Sequence, residues 1–112
     1  MAKKRTIPFQ IRPLIIGYLS LLEKNGMPIE KAYLFGSWAK GKQHRWSDID
    51  IAIVSKVFEK NYWKSHKLLS KETAKLEEFS ILEAHGLGVK DFHKNSSSAM
   101  VQEIFKTGIR IM

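Results

Sequence analysis

The chain has 112 residues, 44% hydrophobic and 27% charged, a length that suits one domain over residues 1–112 and leaves little room for a second. Nineteen Lys and Arg against 11 Asp and Glu give a formal net charge of +8, which favours polyanions such as nucleotides, nucleic acid or an acidic protein. There are no cysteines, which excludes disulfides, thiolate metal sites and cysteine nucleophiles and fits a cytoplasmic protein.

Residues 1–7 read as a basic, flexible tail. Their start, Met1-Ala2-Lys3-Lys4-Arg5, is like the basic end of a signal peptide. Arg12 then interrupts the apolar stretch and no small-residue cleavage site follows, so export is not expected. The longest apolar run, residues 13–22, is far short of the roughly 20 residues of a membrane span. From Ile11 to Lys24 the residues Leu14, Tyr18, Leu21 and Leu22 recur at helical spacing. Pro13 suits the first turn, and Asn25-Gly26 supplies the stop.

Lys31 to Phe35 reads as a short aromatic-rich strand ended by Gly36-Ser37. Residues 38–47 read as loop with one helical turn. Ile49 to Val54 alternates and is β-branched, which predicts a strand. A second long helix is expected over 61–78, with Tyr62, Leu69 and Leu76 on one line, and a third strand over 79–83, broken by Gly86 and Gly88. Ser96 or Ser97 can cap a last helix, 98–107, burying Met100, Val101, Ile104 and Phe105. Residues 109–112 can add an edge strand. The order implies an α/β (α+β) fold, about four strands in a mixed sheet packed with three to four helices.

The chemistry lies in Gly36-Ser37, ten intervening residues, and Asp48-Ile49-Asp50. Side chains two apart on a strand share a face, roughly 6.5 Å apart, so Asp48 and Asp50 point one way and Ile49, Ile51 and Ile53 the other. Two like charges side by side are costly unless a cation offsets them. Hard divalent ions choose carboxylate oxygens and complete their shell with water and phosphates. Gly36 lets a phosphate approach the backbone. The Ser37 hydroxyl can hold it, and Lys40 and Lys42 lie within reach. Glu83, flanked by apolar neighbours, is the expected third acid, with Asp91 as fallback. His85 reads as a structural or surface residue. Trp38 and Trp46 can stack on a base or simply pack. Lys60, Lys64, Lys67, Lys71 and Lys75 form one stripe on the second helix, either a solvated face or a surface for RNA or an acidic partner.

At Phe35-Gly36-Ser37-Trp38-Ala39-Lys40-Gly41 and Ser47-Asp48-Ile49-Asp50-Ile51-Ala52-Ile53-Val54 the chain resembles the minimal nucleotidyltransferases of the DNA polymerase beta superfamily. Ile81-Leu82-Glu83-Ala84-His85 is similar to that family's third-acid strand. Lys40 stands where the family often has Arg, keeping the charge but losing bidentate geometry. The resemblance implies a nucleotidyltransferase fold, with Asp48, Asp50 and Glu83 as catalytic metal ligands. It also implies Gly36, Ser37, Lys40 and Lys42 around the phosphates, two Mg²⁺ ions (Mn²⁺ being the alternative) and ATP as substrate. It further implies an antitoxin that moves AMP onto a hydroxyl of a HEPN-domain toxin. The competing expectation is a non-catalytic module that neutralises a partner, or binds nucleic acid, by contact alone. A homodimer is left open.

Overall fold

The computed structural model describes residues 6–45, 47–60, 62–75 and 77–112. Trp46, Leu76, the Tyr62 side chain and residues 1–5 of the basic tail lie outside the described set. Helix α1 spans Arg12–Lys24 and buries Ile15, Tyr18, Leu19 and Leu22. This is one stripe at helical spacing, with Pro13 in the first turn, where its missing N–H has no partner to lose. Ile7, expected in the flexible tail, is buried in the same core as Ile11. Its side chain is apolar, so it packs although the residues before it are basic.

Strands β1 (Lys31–Phe35) and β2 (Ile49–Val54) pair antiparallel, with Ala32 opposite Ile53 and Phe35 opposite Asp50. One helical turn, α2 (Ser37–Lys40), follows β1. After β2 the chain crosses through α3 (Val57–Lys60) and α4 (Tyr62–Lys75) and returns as β3 (Leu82–Leu87), parallel to β2. Parallel neighbours require such a crossover. Helix α5 (Ala99–Thr107) leads into β4 (Ile109–Arg110), which pairs antiparallel with β1. The sheet order is β3-β2-β1-β4, a mixed four-stranded sheet packed with helices, as the sequence leads one to expect. No helix among the described residues is long and apolar enough to cross a membrane.

Strand alternation divides the interior in two. Ala32, Leu34, Ile49, Ile51 and Ile53 pack with α1 and α4 in the larger core. Phe35, Ala52, Val54 and Leu87 meet Val101 and Ile104 of α5 on the opposite face. In the larger core the Tyr18 hydroxyl donates to the Leu69 carbonyl at 2.9 Å. Burial, and then the charge of Glu72, hold the Tyr18 phenol above its ordinary range. Glu72 is itself fully buried and accepts from Lys75 Nζ at 2.8 Å.

Three boundaries differ from expectation. The helix expected over 61–78 is α4, which ends at Lys75 and is followed by a 3-10 segment, Glu77–Ile81, while the short helix α3 precedes it. The strand expected at 79–83 starts at Leu82 and continues to Leu87. Phe79 is the reason for the late start, since its ring packs edge-on against Tyr18 with centroids 5.6 Å apart. Gly86 does not break β3, because the Phe58 ring fills the space its side chain would take, and an added Cβ would overlap that ring. The cap of α5 is Ser98, which accepts from the Val101 N–H, rather than Ser96 or Ser97. Its buried face is also narrower than expected, since Phe105 is 40% exposed and stacks on Phe92.

The seat of Phe58 on Gly86 makes a test of this register. Gly86→Val should cost about 1–3 kcal/mol by overpacking, and Phe58→Ala about 3–5 kcal/mol by leaving a cavity. The double variant should cost clearly less than the sum, by at least about 0.5 kcal/mol, because the valine fills the space the ring vacates. Denaturant unfolding measures all three. Strict additivity would mean that the two residues do not touch.

Candidate functional site

The parallel register of β2 and β3 sets Asp50 directly beside Glu83 and Ala52 beside His85. Asp50, Glu83 and His85 thus share the sheet face that also carries α5, at the open end of that face. Each offers one ligand atom within 4.8 Å of the others. His85 Nε2 lies 3.6 Å from Asp50 Oδ1 and 4.0 Å from Glu83 Oε1. Its ring stands edge-on to Phe35, centroids 5.3 Å apart, which fixes it over the strand. Glu83 is the most open of the three, its side chain 55% exposed against 25% for Asp50 and 32% for His85.

The Asp50 carboxyl is held above the usual carboxylate range. Burial is the largest cause, and the charge of Glu83 the next. The imidazole of His85 pulls the other way, and Asp48 adds a further push upward. Asp48 itself is exposed and precedes β2. It stands outside the close group, yet its charge reaches Asp50. Asp91, the fallback acid, sits in a 3-10 turn after β3 and is not a member of the group.

Gly36 touches the site through the backbone. Its φ of 74° and ψ of −155° form a conformation that side chains other than hydrogen rarely allow. A Cβ there would overlap Asp50 Oδ2. The glycine is therefore what lets the carboxylate lie against the β1–α2 turn. Ser37 opens α2 at that turn, and its carbonyl accepts from the Lys42 N–H at 2.9 Å. Trp38 is partly buried against the larger core and donates from its indole to the Ser47 carbonyl at 3.4 Å. Lys40 reaches Glu103 on α5, Nζ to Oε1 2.7 Å, rather than the acids. Lys42 is exposed beyond the end of α2.

His85 is the member that sequence reasoning set aside. A strand carried past Glu83 would have signalled it, because a residue two further on shares its face, but the strand was expected to end at 83. Ser47 was also passed over. It is buried, and its Oγ accepts from the His44 N–H at 2.8 Å, tying down the loop that delivers Asp48.

The donor set fits a divalent cation. It offers carboxylate oxygens, which hard ions prefer, and an Asp whose ionisation is opposed by burial and a like charge, both of which a cation offsets. His85 Nε2 also lies buried and, among the described residues, makes no hydrogen bond within 3.5 Å.

Two expectations follow from this geometry. Gly36→Ala should destabilise the protein by about 1–3 kcal/mol from backbone strain and weaken divalent-cation binding, as read by thermal denaturation and metal titration. The second concerns pH. In chelator-treated protein, Asp50 holds its proton more tightly folded than unfolded. Its contribution to stability is then full below the ordinary value of 3.8 and is lost as pH rises through the raised value. Asp50→Asn should remove that decline. Parallel Tm-versus-pH curves for the two proteins would contradict it.

Residues 19–112 match the polymerase beta, nucleotidyltransferase family. The chain is 49% identical over 37 residues to the protein adenylyltransferase MntA of Shewanella oneidensis, a stretch covering 33% of this chain and 27% of MntA. It therefore spans about a quarter of the curated relative it matches. Among solved structures, one described as a nucleotidyltransferase from Sulfolobus solfataricus superposes with a TM-score of 0.59 at 23% identity, covering 73% of this chain and 70% of the other. A toxin-antitoxin structure with AMP-PNP gives 0.53 at 24%, covering 86% and 71%. A variant of the MntA-HpeT toxin-antitoxin gives 0.55 at 23%, covering 90% and 72%. At these identities the superpositions speak for the fold. The family match extends over most of the chain and takes in both acid-bearing strands and the Gly36-Ser37 turn, and the chain belongs to the polymerase beta nucleotidyltransferase family.

Proposed function

We propose that this protein transfers AMP from ATP to a hydroxyl of a protein acceptor, and that the acceptor is a HEPN-type toxin neutralised by the transfer. The observation that carries the reading is the pairing of Asp50 with Glu83 across β2 and β3, against the Gly36 turn. The printed names of similar proteins support it, one being a protein adenylyltransferase and others toxin-antitoxin structures.

On this reading Asp48, Asp50 and Glu83 hold Mg²⁺, two ions in number, with Mn²⁺ as the alternative. The bound cation neutralises triphosphate charge and aligns an in-line displacement. Gly36 leaves room for phosphate oxygens beside the backbone, and the Ser37 hydroxyl donates to them. The acceptor oxygen bonds to the α-phosphorus as pyrophosphate leaves. The hydroxyl proton passes to a carboxylate, and Glu83, the most exposed of the group, takes it. Lys40 must leave Glu103 to join the phosphates. A partly exposed pair of that kind is worth only about 0–1 kcal/mol, so the exchange is a small cost beside a phosphate contact.

A second reading, neutralisation by binding without turnover, has its own observation. Lys64, Lys67 and Lys71 line a cleft of about 470 Å³ between α4 and the end of α1. The expected stripe is shorter than five residues, since Lys60 ends the separate helix α3 and Lys75 pairs with Glu72.

The two readings part in one experiment. With labelled ATP and Mg²⁺, the protein should label the product of the neighbouring gene. Asp48→Asn/Asp50→Asn should lose about a hundredfold or more of that activity and also lose neutralisation in cells while remaining folded. Labelling equal to wild type in that variant, or neutralisation left intact without any labelling, would remove the transferase reading and leave the binding one.

A further inference from the structure

We propose that His85 is a nitrogen ligand to the cation held by Asp50 and Glu83, and that it biases the site toward first-row transition ions such as Mn²⁺ over Mg²⁺. The proposal rests on the metal-dependent reading above and adds to it a residue and a metal preference.

Geometry comes first. With metal–ligand bonds of about 2.1 Å, donors at neighbouring positions of an octahedron lie roughly 3 Å apart and those at opposite positions roughly 4.2 Å apart. His85 Nε2 stands 3.6 Å from Asp50 Oδ1 and 4.0 Å from Glu83 Oε1, inside that range for both. All three ligand atoms fall within 4.8 Å of one another, so small side-chain rotations bring them around one ion.

The state of the nitrogen is the second point. Nε2 is buried and, among the described residues, makes no hydrogen bond within 3.5 Å, its near acceptor Asp50 Oδ1 standing at 3.6 Å. A buried nitrogen so weakly satisfied is penalised, and a metal bond removes the penalty. The ring cannot easily swing away to water, because Phe35 holds it edge-on. Phe35 is itself buried beneath α5, so the imidazole is oriented by the core.

Ligand type decides the third. Mg²⁺ favours an all-oxygen octahedron and sheds water reluctantly. Imidazole favours later, softer ions, and affinity for mixed nitrogen and oxygen sites rises from Mn²⁺ along the first-row series. A site of two carboxylates and one imidazole therefore departs from what Mg²⁺ prefers. Asp48, exposed and outside the close group, is left to a second, oxygen-rich position nearer solvent.

The test uses the full-length protein and Mn²⁺ alone as the probe. Bound Mn²⁺ should show ¹⁴N modulation in pulsed electron paramagnetic resonance, and His85→Gln, which keeps a side chain of similar size, should abolish it. The preference for Mn²⁺ over Mg²⁺, measured by competition, should fall about tenfold or more in the same variant. Asp50→Asn serves as the reference for site occupancy. Binding that Asp50→Asn removes, but that shows no ¹⁴N modulation and keeps its preference in His85→Gln, would overturn the role of His85 and leave the metal-dependent reading standing. Binding that Asp50→Asn does not weaken would overturn both.

Discussion

Two carboxylates face each other across neighbouring parallel strands, and most of what is specific in this fold serves to make that tolerable. Asp50 and Glu83 are register partners, so their separation is set by strand spacing and not by a flexible loop. Like charges so placed oppose each other's ionisation, which is what the raised Asp50 carboxyl records. The protein accepts the cost because both strands are anchored elsewhere. Ile49, Ile51 and Ile53 of β2 are almost wholly buried beneath α1 and α4. Each buried aliphatic side chain contributes about 1.5–3 kcal/mol, so the three together outweigh one unfavourable carboxylate pair.

The same strand therefore holds core and chemistry on opposite faces. Its next residues on the acid face, Ala52 and Val54, lie beneath α5 with Val101 and Ile104. Helix α5 covers that part of the face and leaves the Asp50 end open. The crossover through α3 and α4 forces β3 to run parallel to β2, which brings Glu83 and Asp50 to the same end of the sheet. In an antiparallel hairpin β3 would start beside the Val54 end of β2, which would carry Glu83 away from Asp50. Gly36 completes the arrangement from β1, since no other residue lets the turn lie against Asp50 Oδ2.

How far this was legible in the sequence depended on the range of the interactions involved. Helix α1 and strands β1 and β2 could be placed from periodicity and turn chemistry, because their signals are local: Pro13, Asn25-Gly26, Gly36-Ser37 and a β-branched alternation. The same alternation put Asp50 on the face away from the core, whereas Asp48 precedes the strand and stands outside the close group. Strand β3 was misplaced because its start depends on Phe79 meeting Tyr18, sixty-one positions earlier (79 − 18), and its length on Phe58 covering Gly86. His85 was set aside because its neighbours Asp50 and Phe35 come from other strands. Lys40 could not be assigned from spacing alone, since Glu103 is far away in the chain. Only tertiary structure brings these partners together.

The distribution of charge follows from this two-faced design. The lysines of α4 that line the cleft of about 470 Å³ lie on the side of the sheet where Ile49, Ile51 and Ile53 are packed, away from Asp50 and Glu83. A Debye length of about 8 Å at physiological salt screens much of their field across the thickness of a sheet with helices on it. The net charge of +8 is therefore poor support for phosphate binding at the acids, and the lysine cleft and the acid site are separable features. What offsets the negative charge at the acids must come from nearby, from the His85 imidazole in the protein alone and from a cation when one is bound. On the proposed reading, affinity for a polyphosphate then arrives with the metal, and the basic surface is left available for a different contact.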